Sequence, residues 1–132
     1  MHPYLTQKNL LRYALESGLQ VMSFSCLASA SYVEMEWTTV EEGVIVQPVV
    51  QEIATKYSKT PAQVVLRWGV QRGTSVIPKS SKVERLQENI NILDFQLTQD
   101  EMDQISALNK NRRFNDPAFF TTGMNCWTPI YD

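Results

Sequence analysis

The chain has 132 residues, 43% of them hydrophobic, and a formal net charge of -2 at pH 7. This length can hold one modest core, so we expect a single domain or part of one. A charge near zero gives no general attraction to nucleic acid or to an anionic membrane surface, and the apolar runs are too short to span a bilayer.

The cysteines and the first four residues are indicators of the cellular compartment. Cys26 and Cys126 are far apart, with no C-x-x-C spacing and no neighbouring histidine cluster. Neither a zinc site nor a disulfide framework is therefore indicated. Residues 1–4 lack the charged and apolar regions of a signal peptide. We expect a cytoplasmic protein with reduced cysteines, of which Cys26 is buried.

The first predicted elements are a helix and a strand. Thr6 can cap a helix from Gln7 to Ser17, which Gly18 ends. Residues 19–27 have apolar side chains in both alternating sets, a pattern typical of a strand covered on both faces. The small residues 28–31 could leave space for a ligand, although a plain flexible loop is the simpler interpretation.

The middle of the chain predicts a loop followed by two helices. Residues 32–46 have weak periodicity and predict the loop. Pro48 suits the first turn of a helix with four residues on its apolar face: Val49, Val50, Ile53 and Tyr57. Thr60 and Gln63 have the spacing of a capping box for a second helix, Pro61 to Arg72. This helix is apolar on more than one side, which predicts burial against strands.

Residues 74–90 predict a short strand, a basic turn and a helix. Val76 and Ile77 favour the strand, and Pro78 ends it because proline has no N–H to donate. Ser81 and Glu84 have the spacing of another capping box. Apolar residues at helical spacing then predict one buried stripe, formed by Val83, Leu86, Ile90 and Leu93.

The start of this helix is flanked by cationic and hydroxyl side chains, namely Lys79, Ser80, Lys82 and Arg85. Free backbone N–H groups, the positive end of a helix dipole and mobile cations together suit a phosphate. A solvated basic turn accounts for the same residues equally well. The residues alone leave these two interpretations open.

The last predicted helix precedes an irregular tail. Thr98 and Glu101 form a third capping box, and Met102, Ile105 and Leu108 form the inner face of the helix. Beyond it, aromatic residues are spread among Asn, Asp, Pro and Gly. This tail could form an apolar wall of a pocket or cover exposed core surface.

The order of elements predicts an incomplete α/β fold. A strand, crossover helices and a second strand imply parallel pairing with right-handed connections. Two parallel strands buried on both faces cannot form a complete sheet and would leave two unpaired edges. We therefore expect part of a larger fold.

Several motifs strongly resemble the C-terminal part of aldo-keto reductases. They are His2-Pro3-Tyr4, residues 60–68 (TPAQVVLRW), residues 77–81 (IPKSS), residues 85–89 (RLQEN), Phe95 to Leu97, and Met102. The resemblance spans nearly the whole chain. It implies an α/β fold that is a partial TIM (β/α)8 barrel, with two parallel strands and about five helices, cut from a domain of roughly 300 residues.

The resemblance implies that residues 1–132 are the C-terminal portion of an NADP(H)-dependent oxidoreductase domain. Residues 110–132 would be the substrate-pocket tail, in which Trp127 would contact a small-molecule carbonyl substrate. No nucleic acid, membrane or metal is implied. The adjacent Arg112 and Arg113 could suit an anionic substrate, although a solvated pair is the simpler interpretation.

The resemblance also implies the residues that bind NADP(H). Lys79, Ser80 and Arg85 would clamp the 2′-phosphate, since a planar guanidinium and a compact ammonium together select a phosphate over a hydroxyl. Further matching positions would contact the adenine (Glu88, Asn89), the pyrophosphate (Ser25, Leu27, Ser29) and the nicotinamide, on which Phe24 would stack. Core packing is the alternative for Phe24.

The family's catalytic Asp, Tyr, Lys and His come from the first half of the barrel, and no residue here matches them. His2 belongs to a different motif, so we expect a structural role for it. The isolated chain should therefore have no normal reductase activity. Two alternatives are a non-enzymatic half-barrel that acts through its exposed edges, by self-association or complementation, and an unrelated helical module that binds an anionic partner.

Overall fold

A computed structural model describes residues 1–28, 32–33, 35–36 and 38–116. Within these residues the chain forms five α-helices and two strands. In chain order the elements are α1 (Lys8–Glu16), β1 (Val21–Ser23), a 3-10 helix (Val44–Val46), α2 (Pro48–Tyr57), α3 (Pro61–Gln71), β2 (Thr74–Val76), α4 (Val83–Ile90) and α5 (Gln99–Ser106).

The two strands pair in parallel, as predicted from the strand, helix, strand order. Val21 lies opposite Thr74, and Ser23 lies opposite Val76. Two buried hydroxyls link the strands, because Ser23 Oγ donates to Thr74 Oγ1 at 2.9 Å. Thr74 Oγ1 in turn donates to the carbonyl of Gly69 in α3 at 2.8 Å. Within the described residues the sheet is open and has two strands, as expected for a partial (β/α)8 barrel.

The main core lies between helices α2, α3 and α5. Trp68 of α3 is 1% exposed, and its Nε1 donates to Ser106 Oγ of α5 at 3.0 Å. The core also contains Tyr4, Val44, Val50, Ile53, Val64, Val65, Leu97, Met102 and Ile105. A Cβ on Gly69 would lie 2.9 Å from Val76 Cγ1, so α3 packs directly on β2.

Two of the predicted capping boxes are confirmed. Thr60 caps α3 and Thr98 caps α5, and in each the side chain of the third helical residue returns to the cap backbone. Gly18 and Gly73 have φ angles of 72° and 87°, a left-handed conformation that follows helices α1 and α3 as expected. The helix predicted from Pro48 is also confirmed.

Two other predicted caps are wrong. Gln7, with a left-handed φ of 46°, precedes α1, while the Thr6 N–H donates to Asn109 Oδ1 at 3.0 Å. The Ser81 box is not formed because α4 begins after Lys82, whose N–H donates to Ser80 Oγ at 3.1 Å. The strand predicted at residues 19–27 is only three residues long, because the chain turns after Ser23.

The predicted burial of the α4 stripe is also wrong. Its members Val83, Leu86, Ile90 and Leu93 are 63%, 42%, 79% and 72% exposed. Within the described residues α4 packs against α3, and none of the α4 side chains is buried. The spacing is helical, but no described element covers the apolar face.

No helix in the described part of the chain has the length and apolarity needed to cross a membrane.

Candidate functional site

The two loops that carry the predicted site follow β1 and β2. Because these strands are parallel neighbours, the loops leave the sheet at the same edge. Cys26, in the first loop, is 5% exposed, as expected. Burial raises the pKa of its thiol, and the nearby backbone of Ile77, in the loop after β2, partly offsets this shift.

The loop after β1 has a constrained backbone. Ser25 and Ala28 have φ angles of 51° and 60°, which residues other than glycine rarely adopt. The Ser25 hydroxyl lies 2.8 Å from the Tyr32 hydroxyl, and either group can donate. Phe24 is 61% exposed, so its ring is outside the core of the described residues. Leu27 is half-buried against the apolar clusters, and Ser29 lies outside the described residues.

The loop after β2 and the start of α4 present unpaired cations. Lys79 and Arg85 are exposed, and Ser80 is half-buried. Five of the 12 Lys and Arg side chains form no ion pair, hydrogen bond or ring contact with the described residues. They are Lys8, Arg12, Lys79, Lys82 and Arg85. Three of the five therefore lie between residues 79 and 85.

Other cations of the chain are neutralised within the fold. Lys56 Nζ lies 2.6 Å from Glu101 Oε1, and Lys59 Nζ lies 2.6 Å from Asp94 Oδ2. Arg112 lies 2.9 Å from Glu42 Oε2 and over the Phe114 ring, 4.7 Å from its centroid. Arg112 thus stabilises the fold at this position. The contrast leaves the turn at residues 79–85 able to accept an anion.

Glu88 and Asn89 lie in the last turn of α4 and are half-buried. The turn borders a polar groove of about 570 Å³ between α4 and the start of α3. The lining includes Lys59, Thr60, Gln63, Glu84 and Glu88. Amide, hydroxyl and carboxylate groups of this kind can hydrogen bond a planar polar ring.

A second cavity, of about 410 Å³, lies beside β1 and includes Phe24 and Ser25 in its lining. His2, also in the lining, is 3% exposed. Burial, followed by the nearby N-terminal charge, lowers the pKa of His2 to about 4. The ring is therefore neutral near pH 7, packed 5.4 Å from the Phe114 ring. This placement agrees with a structural role.

Sequence reasoning does not identify the contacts of Tyr32, or the hydrogen bonds from Gln63 Nε2 to the carbonyls of Glu88 and Asn91. Tyr32 is 4% exposed and stacks on Phe114 with ring centroids 5.5 Å apart, which fixes the hydroxyl beside Ser25. The sequence predicts Gln63 only as part of the cap of α3.

Trp127 lies outside the described residues. Within the described residues, no group of three His, Cys, Asp or Glu side chains could hold a metal.

The sequence of this chain is similar to known proteins along most of its length. The profile described as aldo/keto reductase family matches residues 1–110. A probable NAD(P)H-dependent D-xylose reductase of Aspergillus clavatus is 44% identical over 122 residues, which cover 91% of this chain and 37% of that protein. The NAD(P)H-dependent D-xylose reductase of Kluyveromyces lactis is 45% identical over 119 residues, covering 88% of this chain and 36% of that protein.

Proposed function

This chain belongs to the aldo/keto reductase family, and on that premise we propose that it is the NADP(H)-binding part of a reductase of aldehyde or sugar carbonyls. The family membership and the names of the relatives support a nicotinamide-dependent oxidoreductase. The chain spans 36% and 37% of the length of the two reductases compared above. We place the whole protein in the cytoplasm.

The observation that carries this proposal is the group of unpaired cations after β2. Lys79 and Arg85 flank the start of α4 with no anionic partner in the described residues. A guanidinium supplies a rigid fork of donors and an ammonium supplies a compact charge, so the donor set fits a phosphate monoester. The 2′-phosphate of NADP(H) is such a group, and NAD(H) lacks it.

The remaining predicted contacts complete the binding site. Glu88 and Asn89 would hydrogen bond the adenine beside the polar groove. Ser25, Leu27 and Ser29 would hold the pyrophosphate, and the exposed ring of Phe24 would stack on the nicotinamide. When bound, the nicotinamide supplies the hydride. Trp127, in the tail at residues 110–132, would contact the carbonyl substrate.

The 132 residues alone are proposed to be inactive as a reductase. No position here matches the family's Asp, Tyr, Lys and His, among which a Tyr donates the proton to the carbonyl oxygen. The buried, neutral His2 does not replace them. This part of the fold would bind and orient the cofactor, and the proton transfer needs residues from the other part of the barrel.

Substitution of Arg85 tests the cofactor assignment. Arg85→Ala should weaken NADPH binding by about 1 to 3 kcal/mol, the value of a charge-assisted hydrogen bond, and leave NADH binding nearly unchanged. Fluorescence titration with both cofactors measures the difference. Arg12→Ala is the matched control, since Arg12 is also an unpaired cation in the described residues but lies on α1. Equal losses for NADPH and NADH would contradict the phosphate assignment.

A second candidate function is self-association through the exposed edges. Apolar side chains are exposed on α1 at Leu10 and Tyr13, on β1 at Met22, and on α4 at Leu86 and Ile90. Both outer strand edges are unpaired within the described residues, and such edges can pair with another chain. Size-exclusion chromatography with light scattering tests this candidate, because a monomer at high concentration would contradict it.

A further inference from the structure

Gln63 joins two helices through one buried side chain. It lies in the first turn of α3 and is 5% exposed. Its Oε1 accepts from the Thr60 N–H at 2.9 Å, which completes the cap of α3. Its Nε2 donates at 3.1 Å to the carbonyl of Glu88 and at 2.9 Å to the carbonyl of Asn91. The amide thus ties the start of α3 to the end of α4.

The end of α4 depends on this donor. The last carbonyls of a helix have no partner within it, and a partly buried carbonyl needs one. Apolar packing does little to position α4, because none of its side chains is buried. Ile92, just beyond it, is 5% exposed and provides an apolar anchor. The last turn of α4 is therefore held by the hydrogen bonds from Gln63 together with the apolar anchor at Ile92.

Arg67 and Gln71 make similar contacts further along α3. The four-residue spacing places them on the same helix face as Gln63. Arg67 Nη1 donates to the Ile92 carbonyl at 3.2 Å, and Gln71 Nε2 donates to the Leu97 carbonyl at 3.0 Å. Among these three side chains, Gln63 alone hydrogen bonds to a carbonyl of α4, so its effect can be separated from general stabilisation of the segment.

We propose that Gln63 is a positioning residue for the adenine of the cofactor, an inference that rests on the proposed function. Gln63 holds the carbonyl of Glu88, and Asn89 follows in the same turn. Loss of the Nε2 donor would displace both predicted adenine contacts. Because adenine is common to NADPH and NADH, the variant weakens both cofactors alike. The 2′-phosphate clamp at Lys79 and Arg85 stays in place.

The test compares Gln63→Glu with Gln71→Glu in the full chain. Each glutamate keeps an acceptor oxygen but loses the amide donor. Gln63→Glu loses the hydrogen bonds to the carbonyls of Glu88 and Asn91. Gln71→Glu loses the hydrogen bond to the carbonyl of Leu97. We expect Gln63→Glu to weaken both NADPH and NADH by about tenfold with their ratio unchanged. Gln71→Glu should change each by less than about twofold. Fluorescence titration gives the affinities.

Hydrogen exchange of the free chain supplies an independent readout. Gln63→Glu should speed exchange in the last turn of α4, where the Asn91 N–H is bonded to the Gln87 and Glu88 carbonyls. Gln71→Glu should leave those amides unchanged. If Gln63→Glu fails to fold by circular dichroism, Gln63→Asn replaces it, since its neutral amide is too short to reach α4.

The outcomes separate the inference from the proposed function. If the wild-type chain binds neither cofactor, or if Arg85→Ala weakens NADPH and NADH equally, the proposed function fails and the inference fails with it. If the wild type binds and Arg85→Ala is selective, but both glutamate variants lose equal affinity, the inference alone is overturned. A change in the NADPH to NADH ratio in Gln63→Glu would also overturn it.

Discussion

Helices α3 and α4 pack against each other, yet their apolar side chains have opposite surroundings. In α3, Val64, Leu66 and Trp68 are at most 1% exposed. In α4, Leu86 and Ile90 are 42% and 79% exposed. Both helices have an apolar face at helical spacing, so the pattern itself does not decide burial. Burial depends on whether another element covers the face, and of these two helices only α3 has such neighbours within the described residues.

A matched pair of leucines tests this comparison most strongly. Leu66→Ala should lower the free energy of unfolding by about 2 to 5 kcal/mol, because it removes a fully buried side chain. Leu86→Ala should lower it by less than about 1 kcal/mol, because that side chain is already partly in water. Urea unfolding followed by circular dichroism measures both. Comparable losses would show that the α4 face is covered in solution.

The capping boxes provide a second matched pair. Glu101 accepts from Lys56 Nζ at 2.6 Å, Tyr57 OH at 2.8 Å and the Thr98 N–H at 2.7 Å. Glu101→Gln should lower the free energy of unfolding by about 2 kcal/mol, through loss of a charged cap and its ion pair. Glu84→Gln in α4 should cost only a few tenths, about the value of a helix-dipole interaction, because that box is not formed.

The pH dependence of stability should follow from the same carboxylate. Burial acts to raise the pKa of Glu101, but the hydrogen bonds from Lys56, Thr98 and Tyr57 outweigh it and hold the pKa at about 2, below the usual 4.5. The contribution of Glu101 is therefore fully present above pH 4.5 and is lost as the pH falls towards 2. Acid unfolding of Glu101→Gln should lack this component, whereas Glu84→Gln should retain it.

The smallest expected effect concerns association through the α4 face. If a second copy covers that face, Ile90→Lys should weaken the dimer by about tenfold, because it places a charge in an apolar contact. Glu52→Lys, at an exposed position on α2, is the control and should leave the dissociation constant unchanged. Light scattering over a concentration series measures both. Equal effects would show that net charge, and not the α4 face, controls association.

Local signals of the fold could be predicted from the sequence. The caps at Thr60 and Thr98 depend on residues three positions apart, and both are formed. The predicted cap at Thr6 is not formed: Gln7 is the residue that directly precedes α1, and the Thr6 N–H donates to Asn109, which is 103 positions away. The predicted burial of the α4 stripe is wrong for a related reason. A periodic pattern identifies an apolar face, but the partner that covers it is encoded elsewhere.

The candidate site likewise has one part that the sequence predicts and one part that it does not. The unpaired Lys79 and Arg85 could be identified because their proposed role depends on charge and on proximity to a helix start. The contact of Gln63 with α4 could not, since it joins residues 25 and 28 positions apart. A signal was available in the polar Gln63, Arg67 and Gln71, which recur every fourth residue of an otherwise apolar helix.

The hydroxyl pair between the strands has a consequence for recombining barrels. Ser23 and Thr74 belong to different β/α units, and together with the Gly69 carbonyl they form one buried relay of donors and acceptors. A chimaera that replaced the second unit and put an alanine at position 74 would remove the acceptor of the buried Ser23 hydroxyl. A crossover placed before residue 21 or after residue 76 keeps this relay intact. A chimaera should therefore take both strands, residues 21–76, from the same parent protein.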